Sequence, residues 1–89
     1  MARIFFTQNL RRHVGCPEEE VPGATAREVL DAYFARHPLV RSYILDEHGG
    51  LRHHVVIFIG EARVTDRENL GEPVAPDAEI WVMQALSGG

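Results

Sequence analysis

One helix dominates this chain, and its place in the order limits what the chain can build. Thr25-Ala26-Arg27-Glu28 fits a capping box, with a Thr side chain over the third helical N–H and a Glu reaching back. Apolar residues then fall at Ala26, Val29, Leu30, Tyr33 and Phe34, a single helical stripe. Pro38 closes it, with Arg36 and His37 near the negative end of the helix. The expected element is a helix of about 12 residues, some 18 Å long. With one apolar face it must lie on a sheet.

The strongest strand signals stand at the two ends of the chain. Residues 3–7, Arg-Ile-Phe-Phe-Thr, alternate faces, and Glu79-Ile80-Trp81-Val82-Met83-Gln84 is β-branched and aromatic on both faces. Between them, residues 18–21 are expected as an edge strand blunted by its Glu run. Residues 8–14 read as a loop with a short turn. Ile44 and Leu45 are a candidate short strand, and Asp46-Glu47-His48-Gly49-Gly50 is turn chemistry. Residues 53–59 read as a strong strand, Gly60-Glu61 as a tight turn and residues 62–64 as its return. Residues 65–77 are a loop with one helical turn around Leu70. The order makes an α+β fold: a mixed sheet of four to five strands, one helix packed across it, first and last strands parallel at the centre.

The last strand runs straight into Ala85-Leu86-Ser87-Gly88-Gly89. A packed strand leading into a small tail suits the presentation of a carboxylate. Five extended residues reach about 16 Å, and two glycines without Cβ can thread a narrow channel. The chemistry this points to is activation of the Gly89 carboxylate, with the chain as substrate. The expected division is a domain over residues 1–84 and a tail over 85–89.

At 89 residues the chain has room for one small core and little for an enclosed active site. No apolar run approaches a membrane span, and residues 1–7 lack the features of a signal peptide. A single cysteine, Cys16, excludes a disulfide framework and Cys-rich metal or iron–sulfur sites. The expected compartment is the cytoplasm. Formal net charge is −4 with no basic stripe, which argues against nucleic acid. Residues 46–89 carry the excess of acid, so a partner with a basic docking surface is expected. All nine cations are Arg. Lacking amines, such a chain has few nucleophiles to capture an activated carboxyl of its own; Arg-rich codon usage gives the same composition.

Four features together resemble the ThiS/MoaD family of ubiquitin-like sulfur carriers: the opening strand 3–7, the helix 25–37, the segment His53-His54-Val55-Val56-Ile57-Phe58-Ile59-Gly60-Glu61-Ala62-Arg63-Val64, and the ending from Pro76-Asp77 to Gly88-Gly89. The likeness spans essentially the whole chain. It is nearest to the longer carriers, such as the cysteine-synthesis type, because residues 38–53 exceed the shortest members. Ser87 stands where the family often has Ala.

The resemblance implies the β-grasp fold and a carrier acted on by other enzymes. A ubiquitin-activating-type adenylating enzyme would use ATP to convert the Gly89 carboxylate to an acyl-adenylate. A persulfide or sulfide source would displace AMP to leave a thiocarboxylate, and a sulfur-accepting enzyme would receive the sulfur. Gly89 is then the reacting residue, Gly88, Ser87 and Leu86 enter the partner's channel, and the chain binds no cofactor or metal itself. If Ile4, Phe6, Val55, Ile57, Ile59, Ile80 and Val82 face the helix, then Phe5, Val56, Phe58, Trp81 and Met83 face outward, a partner-binding surface unless residues 39–52 cover it. Similar family members dock by that face. Three alternatives stay open: the small subunit of a molybdopterin-synthase-type complex, a ubiquitin-like modifier joined to target lysines, and a plain interaction module.

Other polar residues carry ordinary readings. Cys16 is expected to be inert, with no second thiol. His53 and His54, placed in a strand, would point to opposite faces and could not chelate together. The carboxylates at 18–20 and 46–47 are read as solvated charge.

Overall fold

The computed structural model describes residues 1–12 and 14–84. Five strands form one sheet in the order β2-β1-β5-β3-β4, where β1 is Ala2–Phe6, β2 Glu19–Val21, β3 Val55–Ile59, β4 Ala62–Arg63 and β5 Glu79–Gln84. Among the described residues three helices accompany it: α1 Gln8–Arg11, α2 Ala26–Arg36 and α3 Pro38–Ile44. The expected centre is present. β5 runs parallel to β1, with Ile4 opposite Ile80 and Phe6 opposite Val82, and antiparallel to β3, with Ile57 opposite Val82. The Glu-rich strand is the edge, paired only to β1 among the described residues.

Alternation along the strands puts Ile4, Phe6, Val55, Ile57, Ile80 and Val82 in the core, where Ala26, Val29, Leu30, Tyr33 and Phe34 of α2 meet them. The α2 start shows why Thr25 and Glu28 sit where they do. Thr25 Oγ1 accepts from the Glu28 N–H at 3.2 Å, and Glu28 accepts from the Ala24 N–H at 3.0 Å. The next free helix N–H groups are met from the far loop: Ala26 donates to Glu72 O and Arg27 to Leu70 O. Leu70, buried and at φ +55°, ends a single helical turn closed by its N–H on Asp66 O. Arg27 fastens the same loops, donating to the carbonyls of Gly49, Glu68 and Asn69.

Three local expectations are corrected. Residues 38–44 are a helix rather than a loop ending in a strand. Pro38 is pre-set for the first helical position, and Val40 and Ile44, four apart, are buried together. Leu45 does pair, but only as an isolated bridge to Leu51. Residues 8–11 close one short helix directly behind β1, with Thr7 at its N-cap. β3 begins at Val55, so His53 and His54 occupy the turn before it.

Gly23 is the tightest backbone approach. It sits at φ +149°, and a Cβ there would meet the Val29 N at 2.6 Å and Val29 Cγ2 at 2.7 Å. Gly23→Ala is expected to cost about 1–3 kcal/mol, because backbone of α2 must yield. A urea titration with unchanged midpoint would show that the turn relaxes freely.

Candidate functional site

The far side of the sheet carries the aromatic row. Phe5 on β1 and Phe58 on β3 flank Trp81 on central β5, and Val56 lies opposite Met83. All five are half-buried, and none belongs to the buried core. The Phe5 and Trp81 rings stack with centroids 4.3 Å apart and planes 10° from parallel. That stacking hides part of both rings on this outer face. Residues 39–52 do not cover it: Val40, Ile44, Leu45 and Leu51 are buried within the core. At the edge of this face Arg3 is held by Glu18 at 2.8 Å and Glu20 at 2.7 Å.

The positions that sequence reasoning missed lie where β5 ends. Thr7, Gln8, Asn9 and Arg12 line an open cleft of about 350 Å³ with Met83 and Gln84. No residue pattern signals it, because α1 reaches β5 only through the parallel β1/β5 pairing: Thr7 N–H donates to Val82 O at 3.1 Å. A second cleft of about 130 Å³ lies between Phe5, Phe6, Arg11, Cys16, Glu18 and Trp81. Cys16 is 3% exposed there. Burial pushes its thiol pKa up, and the nearby Arg11 charge opposes this less strongly. The expected reacting residue Gly89 and the tail residues Gly88, Ser87 and Leu86 lie outside the described residues.

On the helix side, Glu19 meets both Arg36 and His37. The His37 hydrogen bond, and then that of Arg36, hold its carboxyl below the usual range. This ties β2 to the end of α2 and is structural. The His53 and His54 rings approach edge-on at 5.3 Å, so strand alternation does not separate them as expected. A third donor is what is missing: among the described residues no three His, Cys, Asp or Glu side chains gather as a metal site would need. No helix among them is long and apolar enough to cross a membrane.

No protein-family model and no curated protein matches the chain. Solved structures do. A chain of the Amycolatopsis orientalis BexX/CysO complex superposes with TM-score 0.83 at 22% identity, covering 100% of both chains. CysO of Mycobacterium tuberculosis gives 0.81 at 19% identity, covering 97% of this chain and 100% of that one. SAMP1 of Haloferax volcanii gives 0.77 at 25% identity over 99% and 98%. In sheet order, in the crossing helix and in its structural neighbours CysO and SAMP1, the chain has the β-grasp fold.

Proposed function

We propose that the chain is a sulfur carrier whose C-terminal Gly89 is adenylated and converted to a thiocarboxylate. The observation that carries this reading is the setting of β5. It is the central strand, bonded on both sides to β1 and β3, and Leu86-Ser87-Gly88-Gly89 continue from it in sequence. The structural likeness to CysO supports it.

The chemistry needs no catalytic group from this chain. A Gly89 carboxylate oxygen attacks the α-phosphorus of ATP in the active site of an adenylating enzyme, and pyrophosphate leaves. The mixed anhydride has a leaving group that the carboxylate lacks. Sulfide sulfur then attacks the acyl carbon, the carbon–oxygen bond to AMP breaks, and a thiocarboxylate remains for an acceptor enzyme. The aromatic face around Trp81 is the docking surface, and Leu86 to Gly89 reach the partner's nucleotide.

Intact mass after incubation with ATP, an adenylating enzyme and a sulfide source tests this. One oxygen exchanged for sulfur is expected, and none after deletion of Gly88 and Gly89. No exchange, with the enzyme active on another carrier, would overturn the reading. A modifier role is the second reading, favoured by the likeness to SAMP1, a small archaeal modifier protein. It predicts isopeptide adducts of Gly89 on target lysines in lysate.

A further inference from the structure

We infer that the chain offers its own C-terminal acyl group no competent nucleophile, so an activated Gly89 is spent only on an acceptor brought by another molecule. This rests on the proposed activation of Gly89. Amines, a thiol, hydroxyls and imidazoles have to be considered in turn.

Amines are removed by composition and by topology. The 89 residues contain no lysine, and all nine cations are Arg, whose guanidinium stays protonated and unreactive. The α-amine of Met1 is left. Parallel pairing fixes where it is: Arg3 lies opposite Glu79 and Phe6 opposite Val82, so Met1 and Gln84 are at opposite ends of the sheet. Seven residues of strand separate their levels, about 23 Å. Five residues from Gln84 to Gly89, fully stretched and turned straight back, cover at most about 18 Å. An antiparallel first strand would have put the amine beside the tail.

The thiol is removed by burial. Cys16 lines the cleft beside Trp81, three residues before β5 ends, so chain length alone would allow contact. It is 3% exposed, and burial keeps it in the unreactive thiol form. The most buried phenol is removed in the same way: Tyr33 is 0% exposed and donates its hydroxyl to Pro17 O at 2.7 Å. A hydroxyl is a weak nucleophile unless a base activates it. An imidazole that took the acyl group would return it to water. The lack of lysine also means that no side chain of one conjugated copy could receive a second through an isopeptide bond.

The test replaces the missing amine where the fold would let it react. Arg12 is exposed and lines the cleft at the end of β5 with Met83 and Gln84. A lysine there keeps the charge and sits within reach of a five-residue tail. Asp77 is exposed and level with Met1, beyond that reach. The full chain is prepared as a C-terminal thioester by intein release and held dilute at mildly alkaline pH with no partner enzyme. In the Arg12→Lys chain Nζ attacks the Gly89 carbonyl carbon, the carbon–sulfur bond breaks, the thiolate leaves and the amine proton passes to solvent. The expected product is lighter by one water than the hydrolysed chain, with a proteolytic cross-link between residues 12 and 89. Wild type and Asp77→Lys are expected to hydrolyse only. A water-deficient wild type, or an Arg12→Lys chain that only hydrolyses while its circular dichroism is unchanged, overturns the inference. Because activation here is chemical, failure of adenylation is read separately, in the sulfur-exchange assay.

Discussion

Trp81→Ala is expected to weaken binding to the proposed adenylating partner by about 30-fold or more, close to 2 kcal/mol. The argument is positional. Trp81 is on the central strand, with Phe5 stacked on one side and Phe58 paired on the other. Binding energy concentrates in aromatic anchors at the middle of an interface, with weaker contacts around them. A partner that covers Trp81 also covers the start of the path along Val82, Met83 and Gln84 to the tail. Phe58→Ala removes a flanking ring and is expected to cost less affinity. Stability falls modestly in Trp81→Ala: losing the Phe5–Trp81 stack forfeits about 0.5–1.5 kcal/mol, or about 2–12 °C in Tm for a domain of this size. Leu39→Ser is the control. Leu39 is 78% exposed on α3, away from the aromatic row, and its loss is expected to leave affinity unchanged. Calorimetric titration of the three variants decides it. Equal affinity for Trp81→Ala and wild type would remove this face as the docking surface.

How much of this was legible in the sequence depended on the length of the repeating pattern. The α2 stripe, from Ala26 to Phe34, spans more than two turns and identified both the helix and its buried face. Both faces of β5 could be assigned because alternation holds over six residues. Short elements escaped. In α3 the helical spacing is a single pair, Val40 and Ile44, diluted by the exposed Leu39 and Tyr43. The α1 turn has Leu10 as its one buried residue, and no periodicity can show in four residues. His53 and His54 were drawn into β3 by the apolar run that follows, because nothing in residue type marks a strand's first hydrogen bond. The clefts at the end of β5 were beyond reach for a different reason. Arg12 and Gln84 are 72 positions apart in sequence, and only the parallel pairing of β1 with β5 brings them to one place.

Tyr33→Ala is expected to have the largest effect on the fold, about 3–5 kcal/mol, enough to bring a domain of this size near unfolding. Tyr33 is 0% exposed, its ring lies 4.9 Å from Phe6 and 6.1 Å from Phe34, and its hydroxyl donates to Pro17 O. It joins α2 to β1 and to the segment leading into β2. The conservative variant separates the hydroxyl from the ring. Tyr33→Phe leaves the Pro17 carbonyl without that donor, and about 1–2 kcal/mol is expected at neutral pH. The pH dependence is more diagnostic. Burial pushes the Tyr33 pKa well above its ordinary value, with the charges of Cys16 and Glu19 adding to it. Below about pH 10 the phenol keeps its proton in both folded and unfolded chains. Above it the unfolded chain releases the proton and the folded chain does not, so stability falls by about 1.4 kcal/mol per pH unit. The buried Cys16 thiol has its pKa raised in the same direction and starts the decline earlier. No lysine titration overlies this limb, since the chain has none, and guanidiniums stay charged throughout. In Tyr33→Phe the steeper part is expected to disappear, so its stability meets that of wild type near about pH 11, where the lost hydrogen bond and the avoided ionisation are of equal size. Urea unfolding of both chains between neutral pH and that point measures it. Parallel curves with no convergence would mean that the folded chain releases the Tyr33 proton as easily as the unfolded one, and that the hydroxyl is not held in the core.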